Sequence, residues 1–186
     1  VEKEHGLRVH LVHAQAHAPS RDSAARLAEA LKGRGCHVQL PEEGAYDARA
    51  TTASSAGGFS RIGSAGSVAT PQDLHAALRK ATLCVLLLDD AASASLLGRH
   101  ASSSLVYKEL EFALQALSDP KSALAIVHVP PAPLPPSGLG PLAVPLAAVP
   151  MISLPSLRAI DQVAEQLATL AVRNAPVPRS RGSSRA

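Results

Sequence analysis

The chain predicts an α/β domain with a five-stranded parallel sheet between layers of helices, and three observations lead there. Strand-like and helix-like segments alternate along its length, the pattern of strands joined by helical crossovers. One strand candidate, TLCVLLL at 82–88, is apolar without a break, as a strand covered on both faces must be. A chain of 186 residues with 46% hydrophobic side chains is also long enough for a single sizeable core.

In order, LRVHLVHA (7–14) reads as the first strand. Ser20 precedes RDSAARLAEALKGRG, where Ala24, Leu27, Ala28 and Leu31 recur at helical spacing and Gly33 or Gly35 gives a stop. HVQL (37–40) is a short second strand. Residues 44–69 are small and polar with no period that could bury a face, so they read as a long flexible loop. Thr70, Pro71 and Asp73 supply an N-cap, an N1 proline and an N3 acid for a helix carrying Leu74, Ala77, Leu78 and Ala81 on one side. The 82–88 strand ends in Asp89 and Asp90, and DAASASLLGRHA reads as a loop before the helix LVYKELEFALQAL. LAIVHV (124–129) is the fourth strand, and eight of the fifteen prolines crowd into 130–150, a stiff irregular connection. PMISL is a last short strand, and a helix from Ser156 bears Leu157, Ile160, Val163, Ala164, Leu167 and Leu170. These bounds divide the chain into a 1–6 extension, a domain over 7–175 and a disordered 176–186 tail.

Composition narrows the function classes. Aromatic residues make up 2% of the chain, and the net charge of +3 owes much to Arg173, Arg179, Arg181 and Arg185 near its end. Neither a base-stacking surface nor a basic face for nucleic acid can be built from that. Cys36 and Cys84 are the two cysteines, and Cys84 inside an apolar run reads as a small buried thiol, which suits a reducing cytoplasm. No apolar run approaches the length of a membrane span, and no signal-peptide pattern opens the chain, which reads as a domain cut from a longer protein.

Dinucleotide fingerprints, the P-loop, HExxH and the nucleophile elbow are all absent from the sequence. His10, His13 and His17 are close in sequence, but on a strand His10 and His13 point to opposite faces, so no metal site is expected. Asp89 and Asp90 resemble the acids of phospho-receiver domains, yet the first strand ends in His13, Ala14 and Gln15 where such domains need acids. The unusual residue is Glu109. Helical spacing places Val106, Leu110, Ala113, Leu114 and Leu117 on one stripe with Leu105, Phe112 and Ala116 at its edge, and Glu109 falls between the two sets. Glu111 points to the far side beside Lys108. A carboxylate on an apolar face costs free energy unless it is paired or borders a cavity, so the reading is either an edge residue reaching for water or a site residue.

Order and spacing bring a family into view. SRDSAARLAEALKGRG, GCHVQLPEE, TPQDLHAALRKA, TLCVLLLDD and SSLVYKEL follow one another as in Toll/interleukin-1 receptor (TIR) domains, and the chain resembles that family from Leu7 to about Arg173. In NAD-cleaving members the last segment reads WVHKEI against LVYKEL here. The resemblance implies a flavodoxin-like three-layer fold and makes Glu109 the catalytic residue, a carboxylate gripping the nicotinamide ribose and stabilising an oxocarbenium-like transition state. It implies substrate contacts at His13, Ala14, Gln15, Asp89, Asp90 and Leu105, where Leu105 stands in place of the family's Trp. The same likeness implies a cytoplasmic NAD+ glycohydrolase of immune or cell-death signalling, with NAD+ as substrate, no cofactor and no metal. Self-association through Tyr46, Arg49, Phe59 and Arg61 of the 41–70 loop would complete its site. Two alternatives stand beside it: a non-catalytic TIR adaptor acting by self-association, and a nucleoside-processing enzyme of similar fold.

Overall fold

The computed structural model describes residues 6–40, 71–98, 101–116, 123–132, 142 and 148–175. Their order is β1 (Leu7–Val12), α1 (Ala18–Lys32), β2 (Cys36–Gln39), α2 (Pro71–Lys80), β3 (Leu83–Leu88), α3 (Asp90–Leu97), a 3-10 turn (Ala101–Ser103), α4 (Leu105–Ala116), β4 (Leu124–His128), β5 (Met151–Ser153), a second 3-10 turn (Leu157–Ala159) and α5 (Ile160–Asn174).

The five strands form one sheet in the order β2-β1-β3-β4-β5, and every pairing is parallel. The expected flavodoxin-like three-layer architecture is therefore present. All six residues of β3 are buried, which its unbroken apolar sequence and central place require. Alternation along the strands sends Val9, Leu11, Val85, Leu87, Ala125 and Val127 to a layer made with α1 and α5, where Leu27, Leu31, Val163 and Leu167 are buried. The opposite parity sends Val12, Ala14, Cys84, Leu86, Leu88 and Ile126 to a layer containing Leu78, Leu96, Val106, Leu110 and Ala113. His10 shares that second parity, its strand neighbour on β3 being Cys84.

Two local expectations are corrected. The 89–100 stretch is not all loop, because α3 occupies Asp90–Leu97, started by Asp89, whose side chain accepts from the Ala92 N–H. Its eight residues are alanine, serine and leucine after the first acid, a composition without a helical stripe, so the cap and the packing of Ala92 and Leu96 specify it. α1 begins earlier than the sequence suggests, with His17 as the N-cap and Pro19 in the first turn. Ser20 is then a buried helical residue and not a cap. The Thr70 cap, the 44–69 loop, most of the 130–150 connection and the 176–186 tail lie outside the described residues.

Candidate functional site

In this strand order the chain leaves β1 toward β2 on one side and resumes at β3 on the other, so the loops after β1 and β3 diverge. Such a switch point opens a crevice beyond the carboxyl ends of the strands. A cleft of about 470 Å³ lies there, lined by Ala14, Gln15, Ala16 and His17 after β1, by Ala91 and Ser95 of α3, and by Leu105 and Val106 of α4. α4 begins where Ser104 Oγ accepts from the Tyr107 N–H at 3.2 Å, a cap that fixes the approach of Leu105 and Val106. The Gln15 carbonyl accepts from Arg21 Nη1 at 3.1 Å, which ties the loop to α1.

Glu109 lies one turn inside α4 from Val106 and is fully buried. Gln15 Nε2 donates to its Oε1 at 3.3 Å, while Oε2 has no hydrogen-bond partner among the described residues. Burial pushes its carboxyl up to about 8, which favours the protonated form near neutral pH. Nearby Cys84 is also fully buried, and its thiol is pushed far up by burial and then by the Glu109 carboxyl. His10, 0% exposed with both ring nitrogens unpartnered among the described residues, is pushed down to about 4 by burial and by His13. One layer of the core thus holds three ionisable side chains, each pushed toward its uncharged form by removal from water.

Asp89 faces α1. Its Oδ1 accepts from the Ala92 N–H at 2.8 Å and its Oδ2 accepts from the Ser20 hydroxyl, whose oxygen in turn meets His17 Nδ1 at 3.1 Å. His13 is 5% exposed and held below the ordinary histidine value by burial, against opposing contributions from the Leu11 backbone and Asp89.

Of the residues expected to contact substrate, Ala14, Gln15 and Leu105 line the cleft. His13 is buried beside it, Asp89 is engaged with Ser20 and α3, and Asp90 is exposed on α3's first turn. Tyr46, Arg49, Phe59 and Arg61 lie outside the described residues. Sequence reasoning missed Ala16, Ala91, Ser95 and Val106, which carry no chemical signal of their own, and weighed His17 as a metal ligand alone. Among the described residues no three His, Cys, Asp or Glu side chains come together as metal ligands, and no helix is long and apolar enough to cross a membrane.

The catalytic reading of Glu109 makes a demand that can be set beside this geometry. A carboxylate that stabilises a developing sugar cation must carry charge and reach the reacting carbon. Glu109 is fully buried, with Gln15 against one of its oxygens, and burial favours its protonated form. That form is the one that suits an apolar face.

No family model matches the chain, and no curated protein matches it. Among solved structures it is similar to a diflavin flavoprotein A3 from Nostoc sp., with 15% identity and a TM-score of 0.49 over 93% of this chain and 97% of that one. That neighbour is named as a flavoprotein and not as an NAD+-cleaving domain. No comparison supports the expectations of NAD+ glycohydrolysis, of TIR-type adaptor signalling in immunity or cell death, or of a site without a cofactor; what stands is an α/β chain whose five-stranded parallel sheet has flavodoxin-like architecture.

Proposed function

We propose that the chain is a binding domain for a small uncharged, ring-shaped molecule held in the cleft beyond β1 and β3. One observation carries this: the cleft wall is apolar except for Gln15, His17 and Ser95, and contains no lysine or arginine among the described residues. Its size is within the ordinary range for small-ligand pockets, and a few polar groups on an apolar wall are how such pockets orient a ligand.

The wall disfavours phosphate. A phosphate commonly sits at the N-terminus of the first helix of such folds, using free backbone N–H groups and the helix dipole. Here Pro19 has no N–H to offer, the Arg21 N–H donates to the His17 carbonyl, and the Asp89 carboxylate lies against the first turn through Ser20. A flavin mononucleotide, the ligand that flavodoxin-type sheets take at this switch point, would bring its phosphate toward a carboxylate, and among the described residues the lining offers no aromatic ring to stack on its isoalloxazine. These residues do not fit that cofactor.

The test is a protein-observed NMR titration with adenosine, adenosine monophosphate and flavin mononucleotide. Adenosine is expected to move the Gln15, His17 and Leu105 resonances in the millimolar range, with both phosphorylated compounds at least about tenfold weaker, the equivalent of about 1.4 kcal/mol. Tighter binding of either phosphorylated compound overturns the reading.

A further inference from the structure

The polar side of the cleft contains a hydrogen-bond chain whose direction is fixed by counting protons. Asp89 accepts at both carboxylate oxygens, from the Ala92 N–H and from Ser20 Oγ. A serine hydroxyl has one proton. Since Ser20 gives that proton to Asp89, it has only lone pairs to offer His17, and the 3.1 Å contact requires Nδ1 of His17 to be the donor. Ser20 is 0% exposed, so no solvent competes for its oxygen. A neutral imidazole protonated at Nδ1 has a bare Nε2. His17 is exposed and lines the cleft.

We infer that the Asp89–Ser20–His17 chain sets His17 Nε2 as a hydrogen-bond acceptor toward the cleft, and that the cleft's ligand brings a hydroxyl or N–H donor to it. The inference rests on the cleft being a ligand site, and it names the chemistry of one edge of that ligand. An acid that holds an imidazole in one tautomer is the same device by which catalytic histidines are kept ready to take a proton; here a buried serine is interposed between the half-buried Asp89 at the start of α3 and the exposed ring that lines the cleft.

Two measurements test it, and they fail separately. The first needs no ligand: long-range ¹⁵N–¹H correlation of the imidazole at about pH 7.5, a unit above the ordinary histidine value of about 6.5. The parent protein is expected to show His17 with the proton on Nδ1, and Ser20→Ala to return it to the Nε2–H form that free imidazole side chains favour. If Ser20→Ala fails to fold, Asp89→Asn reads the same contact, because an amide N–H aimed at Ser20 turns the hydroxyl proton toward Nδ1 and drives the ring to Nε2–H. An Nε2–H ring in the parent overturns the inference whatever binds. The second compares phenol with anisole, rings of similar size of which only phenol carries a donor. Phenol is expected to bind about tenfold tighter, the value of one hydrogen bond, and to shift Nε2; in Ser20→Ala that advantage shrinks to about onefold. Equal binding of the two in the parent overturns the donor requirement, and absence of binding by both, with the Nδ1–H tautomer in place, overturns the ligand site on which the inference rests.

Discussion

The two faces of the sheet are built from the same five strands and answer to different demands. Against α1 and α5 the clustered core is aliphatic apart from the thiol of Cys36, with Ser20 and His13 buried only at its end near the cleft. Against α2, α3 and α4 the strands carry His10 and Cys84, and the helix above supplies Glu109. The first face stabilises by area removed from water, at about 25 cal/mol per Å². The second gives some of that up to keep ionisable groups in a dry place, and the cleft with Gln15 opens at its end. An unpartnered buried donor or acceptor costs about 1–3 kcal/mol, so the second layer is the less stabilising of the two.

The largest expected effect is on the aliphatic face. Leu87→Ala removes a fully buried side chain from the central strand and is expected to cost about 2–5 kcal/mol in urea unfolding. A loss below about 1 kcal/mol would mean that this face is not the stabilising one.

The second expectation is a pH signature of the polar face. Glu109 has a folded value of about 8, above its ordinary 4.5, so the stability it contributes is fully present below about 4.5 and is lost as pH rises through 8. His10 has a folded value of about 4, below its ordinary 6.5, so its contribution is present above 6.5 and is lost as pH falls through 4. Between 4.5 and 6.5 the two slopes oppose each other; between 6.5 and 8 Glu109 acts without that opposition, and stability should fall by about 2 kcal/mol at about 1.4 kcal/mol per unit. Glu109→Gln should remove the decline. A parent protein whose unfolding free energy is flat from pH 6.5 to 8 would show that Glu109 is ionised in the folded state after all.

Asp89→Ala sharpens the comparison at the border between the faces. It deletes the cap of α3 and the partner of Ser20, and a loss of about 1 kcal/mol is expected, with the helical content of α3 reduced in amide chemical shifts. Unchanged α3 shifts would assign the helix to packing alone. The smallest effect is a silence: Cys36 and Cys84 are both buried with thiols pushed up by burial, so neither should react with a maleimide at neutral pH until the chain is unfolded. Fast labelling of Cys84 in the native protein would show that the polar layer is open to solvent.

The sheet was legible because its signals are local: the apolar run at 83–88 and the alternation of strand and helix can be read without knowing any partner. Glu109 was legible as an anomaly for the same reason, since helical spacing alone places it on the buried side. Its protonation was not, because charge state depends on how completely other segments enclose it. α3 was missed because its eight residues have no stripe to recognise and its start depends on a cap whose other bond reaches Ser20, 69 positions away. His17, Ser20 and Asp89 form a unit only after β1 and β3 pair, so no pattern along the chain could have joined them.

The central place of β3 has a consequence for how the chain is made. β1 pairs with β2 on one side and β3 on the other, and β3 also pairs with β4, which ends at residue 128. A nascent chain that stops before residue 83 can form only a two-stranded parallel ribbon, with the other edge of β1 unpaired and no second core layer above it. The first 82 of the 186 residues, nearly half of the chain, must therefore wait for the ribosome to deliver β3, and an autonomous fragment of this domain has to extend through β4.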